Sequence, residues 1–339
     1  MNEKPNYLKI SARDMEAEFL RILIKHGFTS DNAKTCARIF TENSIDGVYT
    51  HGVNRFPRFV KYVAEGHVRQ NAEPVLKHAA GAVEQWDGQL GAGPLNALKC
   101  TQRAMELASA SGIGCVALAN TNHWMRGGTY GREAAKNGFV FIGWTNTIAN
   151  MPAWGAIDSK LGNNPLVIGM PYKDEPVVLD MAMSQYSYGA LELYEMKKEK
   201  LPVPGGYDSS GNLTQDAITI RESKRILPIG YWKGAGLSLL LDILAAVLSG
   251  GLSTAEISRS KDEISLSQVF IAIDLSKLQN FKSIEVTLQQ IIDDYHQSVP
   301  ARENGKIVFP GERVVLTRNE NLKNGIPVLE EVWNRIQAL

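Results

Sequence analysis

Two apolar runs, PLVIGMP at 165–171 and PVVLDMA at 176–182, are separated by only four residues. Parallel neighbours need a crossover of about a dozen residues or more, so these two strands can pair only antiparallel. Elsewhere the chain alternates helix and strand patterns. A helical stretch from Gly93 to about Ser111 precedes GIGCVALAN at 112–120, and another from Tyr130 to Lys136 precedes GFVFIGWTN at 138–146. Such alternation predicts an α/β protein whose sheet is at least partly parallel. The close pair rules out a purely parallel, doubly wound sheet. The expectation is a mixed parallel and antiparallel sheet with flanking helices.

The first 65 residues predict helices, with Phe19, Leu20, Leu23 and Ile24 at helical spacing and Gly27 as a helix end. A second helix should run to about Asn43, and a third should tolerate Pro57 in its first turn. Residues 201–236 form a long connection rich in turn residues, a length that is usually functional or disordered. LSLLLDILAAVL at 237–248 predicts a buried helix. A strand SQVFIAIDL, a helix from Ser283 to Ser298 and a last helix opened by Pro327 complete the chain. The expected division is a helical N-terminal segment at 1–70, an interwoven α/β core at 71–300 and a C-terminal segment at 301–339 packing back on it.

The 36 basic and 36 acidic residues cancel, which removes the field that would favour nucleic acid or an anionic membrane. A small molecule is the expected partner. The longest apolar run is shorter than the ~20 residues of a membrane span and carries Ser238 and Asp242. The N-terminus is too polar for a secretory signal, and Cys36, Cys100 and Cys115 show no CxxC spacing. These features together predict a cytoplasmic protein without a disulfide framework or a zinc cluster.

No segment supplies the GxGxxG fingerprint directly after a strand that a Rossmann site needs. Gly91-Ala92-Gly93 follows a turn and Gly234-Ala235-Gly236 follows a loop, so both also suit turn and cap roles. In VYTHGVNRFPRFVKY, His51 and Arg55 are four residues apart at the mouth of a predicted helix. An arginine fork matches a carboxylate, and a nearby imidazole moves protons near neutral pH; the alternative is a surface arginine beside a capping or core histidine. ANTNHWMRGGTYG holds His123, Trp124 and Arg126 between a strand and a helix, where open α/β sheets place ligands, or else forms an ordinary loop. Neither histidine has a carboxylate or a second histidine at a metal-ligand spacing, so no metal site is expected. Asp180 ends a strand as a cap or as a ligand contact. Lys233 suits a phosphate contact or a solvated loop.

Taken in order, GVYTHGVNRFPRF, AVEQWD, NHWMRGGTYG, WGAIDSKLGNNPL, DMAMSQYSYG and ILPIGYWKGAG resemble the malate/L-lactate dehydrogenase family. That family is unrelated to Rossmann dehydrogenases and includes ureidoglycolate and sulfolactate dehydrogenases. The resemblance implies an NAD(P)H-dependent reductase of 2-oxo acids with a non-Rossmann NAD-binding fold, acting in carbohydrate catabolism as a homodimer. It implies His51 as proton donor, Arg55 as the partner of the substrate carboxylate and His123 as the second imidazole. For the cofactor, NAD(H) with NADP(H) as alternative, the matching positions are Thr147, Pro176, Val177, Val178, Leu179, Asp180, Met181, Ala182, Trp232, Lys233, Gly311, Glu312 and Arg313. Thr50 stands where many members have serine, and the loop from Asn122 to Arg126 is bulkier and more basic than is usual. That loop favours a larger polar substrate over lactate, and the resemblance implies a sugar-derived 2-oxo acid. The rival expectations are a dehydrogenase of malate, lactate or ureidoglycolate type, and a non-catalytic sensor using Arg55 and the His123 loop as a carboxylate clamp.

Overall fold

The Ser11 hydroxyl accepts the Asp14 amide at 3.0 Å and so starts the first long helix; Ser187, Asp216 and Ser253 cap three later helices in the same way. The computed structural model describes residues 6–303 and 305–339. Strand β1 (Tyr7–Ile10) leads into helices α1 (Ala12–Lys25), α2 (Ser30–Ile45) and α3 (Phe56–Ala64), with a short 3-10 turn, Tyr49–His51, between the last two. The hairpin β2 (Val75–Ala80) and β3 (Val83–Asp87) precedes α4 (Gly93–Ser111), β4 (Ile113–Thr121), α5 (Gly128–Lys136) and β5 (Phe139–Thr145). Next come β6 (Ala149–Pro152), β7 (Ser159–Gly162), β8 (Leu166–Met170), β9 (Val177–Met181) and α6 (Tyr188–Lys197). The chain continues through β10 (Gly206–Tyr207), β11 (Leu213–Thr214), α7 (Ala217–Ser223), α8 (Trp232–Ser249), α9 (Thr254–Ile257) and β12 (Leu266–Asp274). It ends in α10 (Phe281–His296), α11 (Glu312–Asn324), β13 (Ile326–Leu329) and α12 (Glu330–Gln337).

The main sheet runs β2-β3-β4-β12-β5-β8-β9. Only β3 and β4 pair parallel; the other neighbours are antiparallel, including β8 and β9, where Ile168 faces Leu179. The mixed sheet expected from the short 171–176 connection is the one observed. Its central strands are apolar on both faces. Val116 and Leu118 of β4 with Phe270 of β12 join α4 and α5 in one cluster, whereas Ala117 and Val269 join α8 and the Met151–Leu161 hairpin in another. Side chains alternate across a strand, so one sequence serves both layers. A third cluster packs α1, α2 and α3 around Phe19, Phe40 and Phe56 and takes in Ile326, Val328, Trp333 and Ile336 from the other end of the chain.

Four expectations need correction. The N-terminal segment is not wholly helical: β1 pairs antiparallel with β13, Tyr7 opposite Leu329. Pro327 lies inside β13 opposite Lys9 and does not open the last helix, which starts at Glu330. In a two-stranded sheet the missing proline N–H can face away from the partner, so the residue is tolerated there. The 201–236 connection is not structureless, since β10, β11 and α7 fold within it. Finally, α8 is buried on one side only. Leu240 and Val247 are 55% and 69% exposed, while the other side is fixed by Trp144 Nε1 donating to the Leu241 carbonyl and Asn164 Nδ2 donating to that of Ser238.

The aromatic cluster under the Tyr49–His51 turn sets the local stability. Phe19 is fully buried and stacks on Phe56 at 4.0 Å between centroids, with Phe40 edge-on to both. Phe19→Ala is expected to cost about 3–5 kcal/mol, measured as a lower urea midpoint with an unchanged slope.

Candidate active site

The turn carrying His51 is held from below by α2. Asn43 Nδ2 donates to the His51 carbonyl at 3.0 Å, and Asn43 Oδ1 accepts the Thr129 hydroxyl at 2.7 Å. The Ser44 hydroxyl accepts the Val53 amide at 2.8 Å. Gly52 follows His51 because a Cβ there would lie 2.3 Å from Ser44 Oγ and 2.9 Å from the Ser44 amide nitrogen. The approach of the turn to α2 therefore requires glycine. His51 Nδ1 shares a hydrogen bond with the Thr50 hydroxyl at 3.1 Å.

His123 comes from the loop between β4 and α5. Asn122 anchors that loop by donating to the Leu90 and Gly91 carbonyls at 2.9 and 3.1 Å. The Met125 amide, placed by a left-handed backbone with φ of 68°, donates to His123 Nδ1 at 2.9 Å. A neutral imidazole that accepts at Nδ1 carries its proton on Nε2, so His123 offers a donor at its far side. The rings of His51 and His123 stack at 5.7 Å with a 25° tilt.

Arg55 caps the start of α3 and sends Nη2 to within 3.4 Å of Glu263 Oε2; the two side chains are 23% and 11% exposed. Beside His123 a cleft of about 290 Å³ is lined by Arg55, Arg58, Tyr62, Asn122, His123 and Glu263 among others. Both imidazoles are held neutral. Burial, then the nearby His123, Arg55 and Arg126, lower the His51 pKa to about 3 against the opposing pull of Glu263. Burial, then Arg55 and Arg58, push His123 well below the ordinary histidine range.

The residues expected to hold a cofactor converge from three directions. β9 is an outer strand of the sheet. The Val178 amide donates to the Pro310 carbonyl at 3.0 Å, and a Cβ on Gly311, whose φ is 100°, would lie 3.2 Å from the Val178 nitrogen and 3.5 Å from the Pro176 oxygen. Segments 176–178 and 310–311 thus meet at the sheet edge. Beyond β9, the Met183 amide donates to the Asn163 carbonyl and the Ile229 amide to that of Met183, which brings 182–184 against the residues just before Trp232 and Lys233. Thr147 is tied to Asn164 through its amide at 3.0 Å, and Asn164 reaches Ser238 of α8. Trp232 and Lys233 stand at the exposed start of α8, with Lys233 Nζ 5.9 Å above the Trp232 ring. Asn163 Oδ1 and Ser184 Oγ are buried with no hydrogen-bond partner among the described residues. The orphaned polar atoms Asn163 Oδ1 and Ser184 Oγ and the exposed Lys233 fit the polar groups of a nicotinamide dinucleotide, while the β9 edge at Val178 is already taken by Pro310.

Two matched positions also have partners within the protein. Asp180 accepts the Gly128 amide at 2.8 Å and lies 3.9 Å from Arg126 Nε, tying β9 to the start of α5. Glu312 accepts the Phe309 amide at 3.1 Å and pairs with His296 at 3.1 Å, which shapes the entry to α11, where Arg313 is exposed. Sequence reasoning missed Glu263, Arg58, Asn43 and Asp46. Glu263 sits in the polar run SKDEIS, whose composition is that of an ordinary solvated turn, and no local spacing links it to Arg55.

The family model for malate/L-lactate dehydrogenase matches residues 10–337. A 2,3-diketo-L-gulonate reductase from Escherichia coli O6:K15:H31 (strain 536 / UPEC) is 46% identical over 98% of this chain and 100% of its own length. Among solved structures, malate dehydrogenase from Entamoeba histolytica superposes with a TM-score of 0.93 at 23% identity, covering 98% of this chain and 97% of its own. Sulfolactate dehydrogenase from Methanocaldococcus jannaschii gives 0.86 at 26% identity, covering 97% and 95%.

The depressed histidines have a pH signature. In the unfolded chain an imidazole takes its proton near pH ~6.5, whereas folded His51 resists it down to about 3. Below the unfolded value the unfolded state binds more protons, so stability falls as pH drops. The melting temperature is expected to decline from pH 6.5 towards 4, and this part of the slope should flatten in the His51→Asn/His123→Asn double variant.

Proposed function

The chain belongs to the malate/L-lactate dehydrogenase family, and from that premise we propose that it reduces 2,3-diketo-L-gulonate to 3-keto-L-gulonate with NAD(H). That it is an oxidoreductase acting on a CH–OH group follows from the end-to-end likeness to reductases of this type, which leaves the non-catalytic sensor without support. The observation that carries the site assignment is the stacked pair His51 and His123, the second of which lines a cleft with Arg55.

In this reading Arg55 takes the substrate carboxylate, since one of its five N–H groups faces Glu263 and the others remain to form a fork. His123 offers Nε2–H to a substrate oxygen, and His51 gives the proton to the carbonyl oxygen as it becomes a hydroxyl. Residues of β9 and 311–313 would hold the dinucleotide, whose reduced nicotinamide would supply the hydride. His51 must hold a proton to act, and in the empty site it is neutral. Arg55 is one of the charges that keep it so, and a carboxylate bound there offsets that charge. Offsetting Arg55 would ease the protonation of His51, with burial, the larger cause, left in place. Thr50, whose side chain faces Gly189, can pass that proton to Nδ1.

NAD(H) is the proposed cofactor; Asp180 on β9 would repel a 2′-phosphate placed beside it, an effect that Arg126 at 3.9 Å reduces. Three unpaired cysteines, of which Cys36 and Cys100 are buried, suit a reducing cytoplasm. The exposed side of α8, with Leu240, Ile243, Leu244 and Val247, is an apolar stripe of the kind that meets its own copy in a two-fold dimer.

NADH oxidation across a panel of 2-oxo acids, with NADPH in parallel, tests the reading; no turnover with 2,3-diketo-L-gulonate would sink it. His51→Asn is expected to lower kcat by about 10²–10⁴ with NADH affinity, followed by fluorescence, nearly unchanged. Val247→Glu should shift sedimentation from a dimer to a monomer.

A further inference from the structure

The cleft beside His123 holds three charges. Arg55 and Arg58 come from α3, and Glu263 comes from the loop before β12. Glu263 is fixed on both sides, one oxygen 3.4 Å from Arg55 Nη2 and the other 3.4 Å from the Ile148 amide, just past the end of β5. Its neighbour Asp262 is engaged elsewhere, accepting the Tyr62 hydroxyl at 3.2 Å and lying 3.3 Å from His67 Nε2. Two guanidinium groups and one carboxylate line the cleft, and Arg58 has a partner of its own in the Tyr62 hydroxyl at 2.9 Å, with Asp262 behind it.

We propose that Glu263 sets the charge of the substrate, so that the cleft accepts a 2-oxo acid with one carboxylate and a hydroxylated, uncharged remainder and rejects dicarboxylates. This deepens the reading of the chain as a 2-oxo acid reductase and rests on it. A carboxylate that is 11% exposed is poorly screened, and a second substrate carboxylate a few ångströms away would meet it as an unpaired like charge. Hydroxyl groups in the same place would donate to Glu263, which has only acceptors to offer. Specificity of this kind comes as much from repulsion of the wrong anion as from attraction of the right one.

The test compares kcat/KM for 2,3-diketo-L-gulonate and oxaloacetate in the unmodified enzyme, Glu263→Gln and Glu263→Asp. In Glu263→Gln the ratio is expected to fall by about tenfold or more, as removing one like-charge contact of ~1.4 kcal/mol gives. Glu263→Asp, which keeps the charge, should retain most of the ratio. A ratio unchanged in Glu263→Gln, with both substrates losing equally, makes the residue a structural brace and overturns the proposal. Independently of any variant, calorimetric titration of the unmodified protein with glycerate and tartronate should show the monoanion binding at least about tenfold tighter; equal or tighter tartronate binding overturns it as well. Absence of NADH turnover with every acid would instead count against the reductase reading, and the calorimetry would still decide the charge preference.

Discussion

Asp46, at the end of α2, sits buried between two guanidinium groups: Arg126 from the loop after β4 and Arg318 from α11, the latter at 2.6 Å. Arg126 is itself 7% exposed and turns its Nε towards Asp180 on β9. Charges taken out of water need close partners, and removing one member of such a group costs about 3–5 kcal/mol because the others are left uncompensated. This requirement ties α2, the loop after β4, β9 and α11 together across the fold. The His51 turn follows directly from α2, His123 precedes Arg126 by three residues, and β9 and α11 carry the segments proposed for the cofactor. The candidate histidines and those segments are therefore tied to one buried ionic knot.

The same knot shapes the electrostatics of the site. Arg126 and Arg55 bring positive charge close to His51, and burial removes the water that would stabilise an imidazolium. A neutral imidazole waiting beside arginines is a poor acid until an anion arrives. Glu263 works in the opposite sense, holding Arg55 in place and tempering its charge. The stacking of His51 on His123 depends on two backbone details, the close approach at Gly52 and the left-handed Met125, which orient the rings before any substrate is present.

Much of the scaffold was legible. The four-residue gap between 171 and 176 dictated an antiparallel pair, and the apolar runs at 112–120 and 138–146 dictated central strands. The β1–β13 pairing was not legible, because its partners lie 316 (Ile10 with Ile326) to 322 (Tyr7 with Leu329) positions apart, and local patterns carry no information over such distances. LSLLLDILAAVL showed a helix correctly but not its surroundings; apolar content is the same whether a helix faces its own core or a second chain.

What the sequence by itself determined was local: periodicity, connection length, and the residue types His51, Arg55 and His123 that proton transfer and carboxylate binding require. Its motif order also determined the family, since several short matches in sequence are far more specific than one. The tertiary structure decided which of these groups meet. Asp46 with Arg126 and Arg318, and Arg55 with Glu263, are pairs separated by 80, 272 and 208 residues. Charge pairs of that span are chosen by the packing of whole layers, which brings them into low dielectric together, and no spacing along the chain encodes them.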